Sequence, residues 1–260
     1  MQESIRVENT KGVATITLNR PEVFNSFNRE MALRLQNELD KAANSVEIRA
    51  IVLIGDGKAF CAGQDLKEVT SPDLNPGFKK ILEEHYNPII TRIRAIEKPV
   101  VAAVNGVAAG AGANIALACD IVVASDRASF IQAFSKIGLV PDSAGTFFLP
   151  RLIGFQKASA LMMLGDKVTA EQAEKLGMVY KVIPSDIFNE EVNALAQHIA
   201  QMPTKALGMT KRLLNESFVN NLDQQLAMES KLQIEAAQSN DYAEGVAAFV
   251  EKRRPNFKGN

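Results

Sequence analysis

The stretch NGVAAGAGANIALACDIVVASDRASFIQAFSKIGLVPD, residues 105–142, decides the fold of this chain. It begins with a turn of small residues and continues into a predicted helix at 111–118 and a predicted strand at 120–125. It ends at Asp142, directly after a proline. The turn at 106–113 holds only glycine and alanine apart from one valine, so its backbone can approach another group closely. Such a turn at a helix start directs free N–H groups at one point, where negative charge is favoured.

The sequence on either side of this stretch predicts alternating strands and helices. VATITL at 13–18 alternates apolar and polar residues, as in a half-buried strand, whereas RAIVLIG at 49–55 is continuously apolar, as in a strand covered on both faces. The alternation with helices indicates an α/β fold with at least partly parallel strands. Asn28 is a predicted N-cap, a helix pattern runs from about 78 to 97, and Thr169 and Gln172 have the spacing of a capping box, with Gly177 at the far end of that helix. From about residue 186 onward only helical patterns follow. We therefore predict a core at 1–195 and a C-terminal helical region at 196–260.

The composition is that of an ordinary globular protein and excludes several classes. With 47% apolar residues, 23% charged residues and a net charge of −1, it argues against nucleic acid or an anionic membrane as a partner. The only cysteines, Cys61 and Cys119, support no disulfide framework, and His85 and His198 are too far apart in sequence to suggest a metal site. No signal-peptide pattern and no membrane-spanning apolar run is found, so we expect a cytoplasmic protein.

Three features could form one reactive site: the loop CAGQD at 61–65, the turn AAGAGAN at 108–114, and Asp142. The loop and the turn each follow a predicted strand, and ligands of α/β sheets bind at the carboxyl ends of strands. We expect the main-chain N–H groups of Gln64 and Ala111 to converge on one carbonyl oxygen that becomes negative during a reaction. Asp142 would then be the group that transfers a proton.

Each of these features also has a purely structural interpretation. A turn rich in glycine and alanine can serve only close packing of a helix on a sheet, and Asp65 and Asp142 can serve only as helix caps. The two cysteines are expected to be small buried residues, and the histidines structural or exposed. A dinucleotide fingerprint starting at Gly110 fails because Ile115 takes the place of its third glycine. The basic run EKRRPNFK at 251–258 is either a solvated tail or a phosphate contact.

Taken together, five motifs resemble the crotonase family, the enoyl-CoA hydratase/isomerase superfamily. The resemblance covers essentially the whole chain, and the combination is far more specific than any single motif. The motifs are TLNRPEVFNSFN at 17–28, IGDGKAFCAGQDLKE at 54–68, KPVVAAVNGVAAGAGANIALACDIV at 98–122, GLVPDSAGTFFLPRLIG at 138–154 and the tail YAEGVAAFVEKRRPNFKG.

This resemblance implies a spiral of ββα units followed by a C-terminal helical trimerisation region, with trimers or hexamers built as dimers of trimers. It implies an acyl-CoA thioester as substrate, with coenzyme A as part of that substrate and no separate cofactor. The thioester oxygen would bind between the N–H groups at the positions of Gln64 and Ala111. The positions that match substrate-contacting residues are Ala62, Gln64, Asp65, Leu66, Gly110, Asn114 and Phe134.

Departures from the family pattern favour isomerisation over hydration. Hydratases of the family activate water with two glutamates, and the matching positions here are Asn114 and Phe134. Asp142 matches the acidic residue of the isomerases and dehalogenases. The sequence thus resembles enzymes that shift a double bond or open a ring epoxide through a thioester enolate, as in phenylacetate degradation. An enoyl-CoA hydratase that uses Asp142 with another group, and a non-catalytic acyl-CoA-binding or nucleic-acid-binding homologue, remain alternatives.

Overall fold

The computed structural model describes residues 3–260 of the chain. A larger sheet of six strands contains, in spatial order, β1 (Ile5–Thr10), β2 (Val13–Leu18), β3 (Ala50–Gly55), β5 (Val100–Val104), β7 (Ile121–Ser125) and β10 (Lys181–Ile183). β1 and β2 pair antiparallel, and every other neighbouring pair in this sheet is parallel. The predicted α/β class with partly parallel strands is therefore confirmed.

A second, smaller sheet of four short strands accompanies the first. Its strands, in spatial order, are β4 (Ala59–Cys61), β6 (Val107–Ala109), β8 (Ser129–Ile131) and β9 (Lys167–Thr169). β3, β5 and β7 of the larger sheet are each followed directly by a strand of the smaller one, which gives the repeated strand–strand–helix unit. The chain turns a corner at Gly55, between β3 and β4, and at Gly106, between β5 and β6. Both corners need glycine, because a Cβ on either residue would lie 2.1 Å from a main-chain oxygen.

Helices connect these units and make up the C-terminal part. They are α1 (Arg29–Asn44), α2 (Leu66–Thr70), α3 (Phe78–Lys80), α4 (Asn87–Ala95), α5 (Ala111–Leu117), α6 (Gly145–Ile153), α7 (Phe155–Leu164), α8 (Ala170–Leu176), α9 (Phe188–Ala200), α10 (Thr204–Glu216), α11 (Leu222–Ala236) and α12 (Asn240–Val250). The predicted N-cap is confirmed, because the Asn28 side chain accepts from the Met31 N–H at 3.0 Å. The predicted capping box of Thr169 and Gln172 and the left-handed Gly177 are also present.

The helix predicted at 78–97 differs in one respect from the observed structure. A π-helix at Ile81–Tyr86 separates α3 from α4. Such segments are rare and frequently occur at functional sites. Its last residue, Tyr86, is only 1% exposed and packs edge-on against the ring of Phe27 at a centroid distance of 5.9 Å. The π-helix thus places a buried phenol beside the loop that follows β4.

The larger sheet is covered on both faces, as the continuous apolar run at 49–55 predicts. Ile51 and Leu53 of β3 belong to the main core, whereas Ala50 and Val52 pack in a second cluster on the opposite face. The second cluster includes residues of α9, so this helix is part of the sheet packing.

The predicted boundary between residues 195 and 196 falls inside α9. Val192, Ala196 and Ile199 of that helix are all buried against the sheet, on both sides of the proposed boundary. The helices beyond it, α10 to α12, form the C-terminal helical region. Within residues 3–260, no helix combines the length and apolar character needed to span a bilayer.

Candidate active site

A cavity of about 510 Å³ brings together most of the residues expected at the site. It lies where the loop after β4, the turn before α5 and the segment after β8 meet. Asn114 is the one predicted site residue that does not line it. The predicted residues that do are Ala62, Gln64, Asp65, Leu66, Gly110, Ala111, Phe134 and Asp142. The basic tail at 251–258 is not part of this cavity wall.

A larger groove of about 780 Å³ crosses the β1–β3 edge of the larger sheet beside α9. Arg6 and Asp56 in this groove pair with each other at 3.0 Å. The smaller cavity is the better candidate, because it alone adjoins both the small-residue turn and Asp142.

The main-chain N–H groups of Gln64 and Ala111 have no acceptor within residues 3–260. The neighbours of Gln64 form a parallel bridge, in which the Phe27 N–H donates to Gly63 O at 2.7 Å and the Asp65 N–H donates to Phe27 O at 2.8 Å. Ala111 is the first residue of α5, so the helix offers its N–H no acceptor. Both groups are therefore available to a ligand.

The two segments that carry these N–H groups pack backbone against backbone. Gly63 has a φ of +90°, and a Cβ on it would lie 3.1 Å from Ala109 O and 3.5 Å from the Ala111 N atom. Gly112 has no room for a side chain, since its Cβ would lie 2.3 Å from Cys61 O. Only glycine permits this approach. The glycines of the turn thus serve close packing, and that packing brings together the two segments that carry the free amides.

The Gln64 side chain is held at both ends. Its carbonyl oxygen accepts a hydrogen bond from the Tyr86 phenol at 2.8 Å, and its amide donates to a Glu68 carboxylate oxygen at 2.7 Å. Glu68 is only 8% exposed and also accepts from the Arg29 main-chain N–H at 2.7 Å. Burial raises the pKa of Tyr86 well above its ordinary value, with smaller contributions from nearby acidic groups that include Asp142. Tyr86 therefore stays a neutral donor that fixes Gln64.

Asp65 serves as a helix cap and an ion-pair partner. Its carboxylate accepts from the Lys67 main-chain N–H at 2.9 Å at the start of α2 and pairs with Arg20 at 2.7 Å. The Arg20 guanidinium also donates to Ser26 O at 2.6 Å, which ties the loop to the segment after β2. This carboxylate is thus occupied by protein contacts, although Asp65 lines the cavity.

Asp142 lines the same cavity with a carboxyl group suited to proton transfer. Burial raises its pKa to about 6 from an ordinary value of 3.8, and a hydrogen bond from the Ser143 hydroxyl at 2.9 Å partly opposes that rise. The side chain does not cap α6, where only the Asp142 carbonyl oxygen accepts from the Gly145 N–H. A pKa near neutrality lets one group accept and return a proton.

Asn114 lies behind the cavity wall rather than in it. It is 1% exposed, its side-chain amide donates to Asp142 O at 2.8 Å, and its side-chain oxygen accepts from the Gln132 amide at 2.8 Å. Phe134, by contrast, closes one side of the cavity, and a Cβ on Gly110 would lie 3.7 Å from its ring.

Neither cysteine is a candidate nucleophile. Cys61 and Cys119 are buried free thiols, and burial raises the pKa of each to about 12, so both stay protonated. Across residues 3–260, no group of three or more His, Cys, Asp or Glu side chains is arranged to hold a metal ion.

Comparison with known proteins now identifies the family. The family model described as enoyl-CoA hydratase/isomerase matches residues 8–260. The chain is 45% identical over 261 residues to the 1,2-epoxyphenylacetyl-CoA isomerase of Escherichia coli strain K12, with 100% of both chains covered. It is 44% identical to a Rhodobacter capsulatus protein named "probable enoyl-CoA hydratase", with 98% of both covered.

Solved structures agree with this assignment. The crystal structure of an enoyl-CoA hydratase from Bacillus anthracis superposes with a TM-score of 0.92 at 32% sequence identity, covering 99% of this chain and 100% of the other. The relatives carry both isomerase and hydratase names, so the choice between the two reactions depends on the residues of the cavity. The chain belongs to the enoyl-CoA hydratase/isomerase family, the crotonases, and is an enzyme of that family.

Proposed function

We propose that this enzyme isomerises acyl-CoA thioesters by shifting a double bond or opening a ring epoxide through a thioester enolate. The substrates we favour are 1,2-epoxyphenylacetyl-CoA, as the name of the Escherichia coli relative suggests, and Δ3-unsaturated enoyl-CoA esters. One observation carries the proposal: Asp142, with its pKa raised to about 6, shares a cavity with two main-chain N–H groups that have no protein acceptor within residues 3–260.

The reaction follows from this geometry. The N–H groups of Gln64 and Ala111 bind the thioester carbonyl oxygen and stabilise the negative charge that develops there. Asp142 removes a proton from a carbon activated by that carbonyl, which breaks a C–H bond and gives the enolate. The protonated Asp142 then returns the proton to another carbon. In the epoxide case the carbon–carbon bond shared by the epoxide and the six-membered ring breaks, which gives the seven-membered oxepin, before the proton returns. No water is consumed, and the carboxylate is regenerated.

The residues around Asp142 support isomerisation over hydration. The carboxylates that line the cavity belong to Asp65 and Asp142, and Asp65 is occupied by Arg20 and the start of α2. At the positions of the two hydratase glutamates, Asn114 is bonded away from the cavity and Phe134 offers only a phenyl ring. A phenyl ring transfers no proton, so Asp142 works as a single acid–base group.

Coenzyme A would lie along the loop after β4. Ala62 and Leu66 line the cavity there, and the exposed Lys67 and Lys136 stand at its edge, where they can contact phosphates. Coenzyme A is part of the substrate, and the reaction as proposed requires no other cofactor.

The decisive experiment compares products. The purified protein is incubated with trans-3-hexenoyl-CoA, with 1,2-epoxyphenylacetyl-CoA and, in heavy-oxygen water, with crotonyl-CoA, and the products are analysed by mass spectrometry. We expect isomers of the first two and no oxygen label from the third. Incorporation of the label without isomer formation would establish a hydratase instead. Tight binding of all three esters without turnover or solvent-proton exchange would establish a non-catalytic binder.

We also propose a homotrimer or a dimer of trimers. The C-terminal helices expose large apolar side chains that a monomer leaves in water, and the most exposed are Leu222, Ile234, Phe249 and Val250. Light scattering should give three or six times the chain mass of 28.3 kDa. A monomer at micromolar concentration would refute this assembly.

A further inference from the structure

We propose that Asn114 is a positioning residue that fixes the turn carrying Asp142 and joins it to the helix and the wall of the same cavity. This inference rests on Asp142 as the proton carrier of the proposed reaction. It differs from a substrate-binding role for Asn114, because this side chain does not line the cavity. Its side-chain carboxamide instead connects three segments whose residues do line the cavity.

The three segments meet at a single side chain. Asn114 lies one turn after Ala111 on α5, so it belongs to the helix that offers one of the two free N–H groups. Its amide nitrogen donates to the main-chain oxygen of Asp142 at 2.8 Å. Its oxygen accepts from Gln132, which lies two residues before Phe134 of the cavity wall. Every polar atom of the Asn114 side chain is therefore used to hold a neighbouring segment.

The turn that Asn114 holds is under backbone strain. Ser143 and Ala144, which follow Asp142 directly, both adopt left-handed conformations with φ of 50° and 57°. Residues other than glycine persist there only when their surroundings hold them, and such positions cluster at functional sites. The Asp142 carbonyl oxygen accepts from both Asn114 and the Gly145 N–H, so it anchors this turn from two directions.

Two neighbouring residues are matched to the position of the Asn114 side chain. A Cβ on Gly145 would lie 2.3 Å from the Asn114 amide nitrogen, so Gly145 leaves space for the side chain to reach Asp142. Gln132 is 3% exposed, and its own side-chain oxygen has no hydrogen-bond partner within residues 3–260. Buried polar atoms are normally paired, and the paired atom of the Gln132 side chain is its amide nitrogen, which donates to Asn114. This hydrogen bond therefore orients the Gln132 side chain.

The test uses two variants that break this connection at different points. Asn114→Leu keeps a similar side-chain volume and removes the hydrogen bond to Asp142 O. Gln132→Leu keeps that hydrogen bond and removes the one that Gln132 donates to Asn114. Asn105→Leu is the matched control, because Asn105 also bridges main-chain groups, those of Gly55 and Gly57, but lies outside the cavity. Butyryl-CoA, which carries no double bond to shift, serves as the binding probe and counts the intact sites.

We expect kcat per butyryl-CoA-binding site to fall about 10- to 100-fold in both variants, the cost of a small misplacement of a reacting group. The Kd of butyryl-CoA should stay within about threefold of the parent value, since the amides of Gln64 and Ala111 remain. The acidic limb of the pH–rate profile should move to lower pH, because a relaxed turn exposes Asp142 to water. Asn105→Leu should change neither kcat per site nor the limb.

An unchanged kcat per binding site in Asn114→Leu or Gln132→Leu, or an acidic limb that stays in place, would overturn the positioning role. Asp142→Asn is measured in parallel to separate this result from the proposed reaction. If Asp142→Asn retains turnover, the proposed reaction fails whatever the Asn114 variants do. If Asp142→Asn is inactive while Asn114→Leu keeps the parent kcat and limb, only the positioning role fails.

Discussion

The Tyr86 phenol donates a 2.8 Å hydrogen bond to the side-chain oxygen of Gln64, the residue whose main-chain N–H is one of the two proposed oxyanion donors. Tyr86→Phe removes this bond and leaves a buried oxygen unpaired, while the ring contact with Phe27 is kept. We expect kcat to fall about 3- to 10-fold, which corresponds to the loss of one ordinary hydrogen bond. Tyr180→Phe, which changes an exposed phenol, is the control. Equal kcat values in Tyr86→Phe and Tyr180→Phe would refute the role of Tyr86 in fixing Gln64.

The pH dependence of the reaction should reflect Asp142. The carboxyl acts as a base only when ionised, so kcat/KM should rise tenfold per pH unit below about 6 and level off above it. Ser143→Ala removes a hydrogen bond that lowers this pKa, so the rising limb should move to higher pH. Ser217→Ala, which removes an exposed hydroxyl, should leave the limb in place. A flat profile between about pH 5 and about pH 8 would contradict Asp142 as the base.

The buried carboxyl of Asp142 should also make the fold less stable at high pH. Its pKa in the folded protein, about 6, lies above the ordinary value of 3.8, so the folded state binds the proton more tightly than the unfolded state. Stability therefore falls as pH rises through this interval, and above it the ionised group costs up to about 3 kcal/mol. Asp142→Asn should be more stable than the parent by up to this amount at about pH 8.

The comparison requires urea unfolding of both proteins at one protein concentration. The difference in the free energy of unfolding should shrink to below about 1 kcal/mol at about pH 4, because the carboxyl is then protonated in the folded state and, close to its ordinary pKa of 3.8, partly protonated in the unfolded state. Asp73→Asn at an exposed position is the control and should show no comparable gain. A difference that is the same at both pH values would show that the gain has another origin.

How much of this arrangement the sequence predicts depends on whether its signal is local. The strand at 49–55, the Asn28 cap and the capping box at Thr169 carry local patterns, and all three are confirmed. The strands β4, β6 and β8 have three residues each, too few for a period to show. The π-helix at Ile81–Tyr86 is missed because its side chains continue an ordinary helical pattern.

The candidate site likewise combines residues with a local sequence signal and residues whose contacts arise only on folding. Gln64, Ala111 and Asp142 stand in recognisable turns, and the cavity brings them together. The roles of Tyr86 and Arg20 carry no local sequence signal, because these residues contact partners 22 and 45 positions away in the sequence. Asn114 shares a helix face with Ala111 by spacing, yet its side chain is directed to Asp142 O behind the wall. Spacing places a residue on a face, but the neighbouring segments decide what it contacts.

The contact between α5 and Cys61 gives a prediction about the packing of the turn. Gly112→Ala would place a methyl group 2.3 Å from Cys61 O, so α5 must move away from the loop at 61–65. We expect a loss of about 1–3 kcal/mol in the free energy of unfolding and a clear fall in kcat, because Ala111 moves with the helix. Gly245→Ala in α12, where the nearest atom is 3.4 Å away, should be neutral or slightly stabilising. Parent-like activity in Gly112→Ala would contradict the close packing.

The corners at Gly55 and Gly106 bear on how this enzyme can be engineered. Any side chain there would collide with a main-chain oxygen 2.1 Å away, so a substitution at either position forces the backbone to shift. The cavity is formed instead by side chains such as Val23, Ile137 and Leu139, which lie outside the corners. A mutant library aimed at new acyl groups should therefore randomise these wall residues and keep both glycines constant, so that diversity falls on substrate choice while the scaffold stays intact.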